Sequence, residues 1–178
     1  MNKYLQQMKT QLESFYKLAV ANDKKAQEAR RVYQPQIAED TVKKLDEQLE
    51  VAKQQSIEAI QKAKDDAVEA AYKWGMLDGS KINDGDMKLL KLDLSPEQFA
   101  SIVDRNRSNG TMCFILQQYA EKHAKHEQKE GEIPMWSALA STDIPTVEGK
   151  IKAYEHFSGA AIAILQNITG AGWGQGVD

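Results

Sequence analysis

From Asn2 to Tyr33 the chain has neither glycine nor proline, and its apolar residues recur at alternating steps of three and four. Leu5, Met8, Leu12, Phe15 and Ala19 set this rhythm, and Asn22, Ala26, Ala29 and Tyr33 continue it. Such spacing lines one side of an α-helix, whereas a strand would need alternation at every second residue. The segment therefore reads as a heptad seam with one polar member, Asn22. A polar seam residue fixes register at some cost in stability, or marks the point where the seam leaves its partner.

Pro35 interrupts the pattern, because it lacks a backbone donor and disfavours helix at Gln34. The rhythm then resumes through Ala38, Val42, Leu45, Leu49, Ala52, Ser56, Ala59, Ala63, Ala70 and Trp74, with Ala67 one step off. A helix of about 40 residues is roughly 60 Å long, more than a small globule can cover. Either the first helix folds back along it at residues 33–36, or the two form one kinked helix beside another chain; fold-back is preferred. The Ala- and Ser-rich seam beyond Ala52 favours a close antiparallel hairpin over a free parallel dimer, whose seam would want Leu and Ile. Leu5, Met8, Leu12 and Phe15, with Leu45 and Leu49, are the expected contact residues for self-association.

The stretch Trp74-Gly75-Met76-Leu77-Asp78-Gly79-Ser80-Lys81-Ile82-Asn83-Asp84-Gly85-Asp86 reads as a loop. It fails as a calcium loop. With Gly85 at the sixth position, Ser80, Ile82 and Lys91 fall where carboxylates are required. Ser95-Pro96-Glu97-Gln98 is a capping box with proline in the first turn, and Phe99, Ile102 and Val103 form the stripe behind it. Asn109-Gly110 is expected to stop that helix and Thr111 to cap the next. The next helix carries Met112, Ile115, Leu116, Tyr119, Ala120 and His123 on one face. A short helix is expected at 135–140, with Trp136 as an anchor. A last helix follows Pro145, with Val147, Ile151, Tyr154, Phe157, Ala161, Ile164, Leu165 and Ile168 on its apolar side. Ser158-Gly159-Ala160-Ala161 is expected to admit a neighbouring helix closely. The glycine-rich end contains Trp173, expected to be held by the core or by a partner.

The fold class that follows is all-α: a long N-terminal antiparallel, coiled-coil-like hairpin with a smaller C-terminal helical bundle. The expected division is an arm over 1–76, an acidic Gly-rich linker over 77–94, the bundle over 95–169 and a tail over 170–178.

Several function classes are disfavoured. The net charge of −3, from 23 basic and 26 acidic residues, argues against nucleic acid as a primary partner, since phosphate binding needs clustered Lys and Arg. Cys113 is the single cysteine and lies in an apolar run, which reads as a buried small residue. No stretch reaches the roughly 20 apolar residues of a membrane span, and the N-terminus lacks a signal-peptide core. His123, His126 and Glu127 are the closest approach to a metal constellation. They lack the further converging ligands zinc needs and read as surface groups. No nucleophile–base pair, phosphate loop or dinucleotide fingerprint appears, so no enzyme, cofactor or metal is expected.

The succession Trp74, Asp78-Gly79, Asp86, Leu89-Leu90, Leu94-Ser95-Pro96-Glu97-Gln98-Phe99, Asn109-Gly110-Thr111-Met112 and Tyr119-Ala120 resembles small proteins from the structural and head-assembly gene region of tailed phages and prophages of Gram-positive bacteria. The resemblance implies a virion or assembly role and carries no catalytic residues. On it rests the expectation of a non-enzymatic assembly protein that contacts itself and a shell or connector protein, in the virion or the host cytoplasm. The alternative is a phage-encoded inhibitor or adaptor that binds a host protein such as a defence component.

Overall fold

The computed structural model describes residues 2–125, 135–140 and 144–170. Seven helices occur among them: α1 (Lys3–Val32), α2 (Pro35–Gly75), α3 (Asp84–Leu89), α4 (Pro96–Asn106), α5 (Gly110–Ala124), α6 (Met135–Ala138) and α7 (Val147–Asn167). A 3-10 turn at Gly79–Lys81 precedes α3, and no strand occurs among the described residues. The fold is all-α, a long N-terminal hairpin with a smaller helical bundle. Its residues divide into two compact units: residues up to Ala67 together with those from Ala153 onward, and Val68–Lys152. Both α2 and α7 contribute to each.

In the first unit, Asn2 caps α1 by accepting a hydrogen bond from the Tyr4 amide. Arg30 and Arg31 in the last turn face the negative end of the helix dipole. Tyr33 leaves the helix in an extended conformation and α2 starts at Pro35, so Pro35 marks a fold-back and not a kink. The register is visible in two places. Asn22 donates from Nδ2 to the Leu45 carbonyl at 3.2 Å, and Ala26 packs with Val42 and Leu45. Residue numbers rise on one helix as they fall on the other, as antiparallel pairing requires, and the same register brings Met8 level with the region of Ile60.

The hairpin core is closed by a third helix. Met8, Phe15, Ala19, Leu49, Ile60 and Ala63 share one buried cluster with Ala161, Leu165 and Ile168. Tyr154 meets the start of α1, edge-on to Tyr4 and accepting a hydrogen bond from Asn2. Further along, Gly170 lies beside Asp46. So α7 runs parallel to α1, from the open end of the hairpin to about the level of Ala19. Residues 153–170 thus join the arm, not the second bundle.

Two expectations about this unit change. The buried stripe of α2 passes through Ile60 and Ala71, with Ala67 also buried, where the heptad reading had Ala59 and Ala70. A straight α-helix drifts about 20° per heptad from a strict seven-residue repeat, which shifts the stripe by one position. At Gly159 a Cβ would meet nothing within 4 Å, so no helix approaches there; the buried neighbour is Ser158.

In the second unit, α4 and α5 enclose Phe99, Ile102, Val103, Cys113, Leu116 and Ala120, covered by Leu139 and Ile144. The capping box at Ser95 and Gln98 is present on both sides. The start of α5 differs from expectation: Asn109 is the cap, accepting from the Met112 amide, and Gly110 opens the helix. A Cβ on Gly110 would lie 1.9 Å from the Trp74 carbonyl oxygen. The glycine therefore serves a close backbone approach and not a helix stop. The 77–94 stretch is tied into this unit by its own caps, with Asp78 over the 3-10 turn and Asn83 over α3. The Asp78 amide also donates to Thr111 Oγ1 at 3.0 Å.

Candidate interaction surface

The residues expected to form an intermolecular seam lie inside the chain. Met8, Phe15 and Leu49 are buried in the three-helix core, and Leu12 packs against it. Leu45 is buried against Ala26, and Leu5 is partly covered. The structure brings Met8, Leu12, Phe15 and Leu49 together in the core shared with α2 and α7, places Leu45 in a separate hairpin cluster, and gives Leu5 no place in either. Trp173 and His126 lie outside the described residues.

An open surface begins where α7 stops. From about Val20 to Val32 on α1, and from Pro35 to Asp46 on α2, the cluster of Ala26, Val42 and Leu45 has no member from a third helix among the described residues. This distal hairpin carries Val32, Tyr33 and Ile37 at 60%, 52% and 52% exposure. Single exposed apolar side chains are ordinary, but three so close together at a turn form a patch. A groove of about 510 Å³ runs along one side of the same segment, lined by Arg30 and Tyr33 and, on α2, by Ala38, Glu39, Val42, Lys43 and Asp46. Its inner end, at Asp46, is where Gly170 turns with φ +67°. A Cβ there would be strained by that left-handed backbone. Heptad counting found the helices but not this patch, because periodicity cannot say how far along a hairpin a third helix reaches.

The second unit holds two further constellations. His123, expected at the surface, is half-buried between Tyr119 and Trp136, with ring centroids at 4.4 Å and 4.6 Å. Trp136 also packs on Phe99 at 5.1 Å, so it does anchor its segment on the bundle. The second constellation is Asp86. It is buried and accepts from Arg105 through Nε at 2.9 Å and through the adjacent guanidinium nitrogen. It also accepts from Asn106 Nδ2 at 2.6 Å. The Arg105 guanidinium, helped by Asn106, holds the Asp86 carboxyl below the usual carboxylate range against the opposing effect of burial. The position of Asp86 in the chain suggests only a turn role, since its partners lie nineteen and twenty residues away on another helix.

Cys113 is buried and its Sγ donates to the Asn106 carbonyl. Burial pushes its thiol up, away from the thiolate form a nucleophile needs. Among the described residues no three His, Cys, Asp or Glu side chains converge as a metal site, and no helix is long and apolar enough to cross a membrane. Comparison with protein-family models, curated proteins and solved structures finds no match.

Proposed function

We propose that the protein is a non-enzymatic assembly factor that works through helix-mediated protein–protein contacts, as the resemblance to phage structural-region proteins implies. The observation that supports this reading is the distal hairpin, a two-helix segment with Val32, Tyr33 and Ile37 exposed at its turn and a groove along its side. An isolated helix pair buries little apolar area, and helical stability in water comes mainly from packing an apolar face. A segment left in this state gains most from a partner. On this reading the partners are further copies of the chain and a phage shell or connector protein, met in the virion or the host cytoplasm.

The test is to establish whether shell and connector genes adjoin this one, to produce the chain with their products, and to isolate the particles. The chain is expected to co-purify with particles or their precursors. Tyr33→Asp with Ile37→Asp is expected to abolish that without lowering helix content. If the chain is absent from every particle fraction, the assembly reading fails. Recovery in a stoichiometric complex with a host defence protein instead would favour the adaptor reading.

A further inference from the structure

We infer that the groove on the distal hairpin is the seat of a second copy of this chain, whose own distal hairpin packs antiparallel across it about a two-fold axis. This deepens the assembly reading and rests on it. The basis is the order of charges along the groove. Arg30, which pairs in register with the first turns of α2, stands near the turn, followed inward by Glu39, Lys43 and Asp46. The sign therefore alternates from the turn to the inner end. Tyr33 at the turn, and Ala38 and Val42 further in, supply the apolar lining.

A two-fold contact is isologous, so each residue meets its opposite number in reverse order. With the axis through the position midway between Glu39 and Lys43, Glu39 of one copy faces Lys43 of the other, and the reverse pair forms on the far side. The Arg30 end of each groove then meets the Asp46 end of its mate. Val42 of the two copies then lies within one residue of the axis, so the two side chains are brought together there. This axis position is the one that sets Glu39 of each copy against Lys43 of the other. Glu39, Lys43 and Arg30 are exposed and form no ion pair among the described residues. The residues that follow Gly170 suit this rim poorly: through Val177 they carry no charge. A second hairpin supplies both signs in the reversed order. The overlap is short, about 18 Å for the twelve residues from Pro35 to Asp46, so the pair is expected to dissociate on dilution and in high salt.

The experiment is sedimentation equilibrium of the full chain over a dilution series, with two charge reversals. The wild type is expected to show a monomer–dimer equilibrium. Glu39→Lys and Lys43→Glu should each raise the dissociation constant about tenfold or more, because symmetry applies each reversal twice. Mixing the two variants should restore association as a one-to-one heterodimer, since every facing pair is then of opposite sign. The double variant Glu39→Lys, Lys43→Glu should also dimerise. Unchanged helix content and thermal midpoint show that both reversals leave the fold intact. A wild type that stays monomeric throughout, as it would if residues 171–178 or an unrelated protein filled the groove, overturns the inference. So does an oligomer indifferent to the reversals, or a mixture that fails to associate. Co-purification with particles is a separate measurement, so loss of the two-fold contact leaves the assembly reading standing or falling by itself.

Discussion

Asp86 shows how one side chain can hold a segment that looks like a linker. Its carboxylate binds α3 to Arg105 and Asn106 of α4. Asp86→Asn removes the charge and leaves the Arg105 donors poorly matched, at an expected cost of about 2 kcal/mol at neutral pH. The pH dependence follows from the direction of the shift. The folded carboxyl is held below its unfolded value, so its stabilisation is complete above about pH 4 and disappears as pH falls through the folded value. Urea midpoints measured from neutral to acid pH should therefore show the gap between wild type and Asp86→Asn closing on acidification. Two glycines form a second contrast. Gly110→Ala forces a Cβ onto the Trp74 carbonyl and is expected to cost about 1–3 kcal/mol or more through overpacking. Gly159→Ala meets open space in the middle of α7 and is expected to stabilise by about 0.5–1 kcal/mol. Thermal melts of the two variants should move in opposite directions. Sequence alone ranks these glycines in the wrong order, because a glycine's neighbours in space leave no trace in its neighbours along the chain.

At the scale of the element, α1 was legible almost residue by residue. Met8, Phe15, Ala19, Asn22, Ala26 and Ala29 are all buried and all stand on the 3-4 rhythm. Asn22 donates to a backbone carbonyl across the hairpin, a partner that periodicity does not specify. In α2 the same reading drifts, because two helices compete for its surface and the buried stripe follows the straight-helix period. In α7 the apolar residues were legible but their destination was not. Tyr154, Ala161 and Leu165 are buried, whereas Ile164 is half exposed. That difference yields a matched pair. Leu165→Ala is expected to cost about 2–5 kcal/mol through cavity formation in the three-helix core, and Ile164→Ala no more than about 0.5 kcal/mol. Chemical denaturation of the two single variants checks both.

At the scale of the molecule, the all-α class and the hairpin could be read from periodicity and one proline. The grouping of residues from Ala153 with the arm could not. Nothing local to α7 states whether its greasy side faces α4 and α5 or a pair of helices begun far upstream; that choice is a property of the assembled surfaces. The candidate surface was concealed for the same reason, since it is defined by where α7 ends. Deleting residues 153–178 is expected to uncover Met8, Phe15, Leu49 and Ile60 together. The shortened chain should bind a hydrophobic dye, lose cooperative unfolding and aggregate.

The meeting of Tyr154 with Asn2 and Tyr4 has a consequence for synthesis. Helical proteins ordinarily fold fast because most of their contacts are local, yet here the opening turn of α1 waits for a mate that lies 152 residues further on. A ribosome making this protein holds out an unfinished hairpin until α7 emerges to seal it. A product cut short before that helix is expected to leave Met8, Phe15 and Leu49 uncovered and to be cleaved faster by a protease than the full chain.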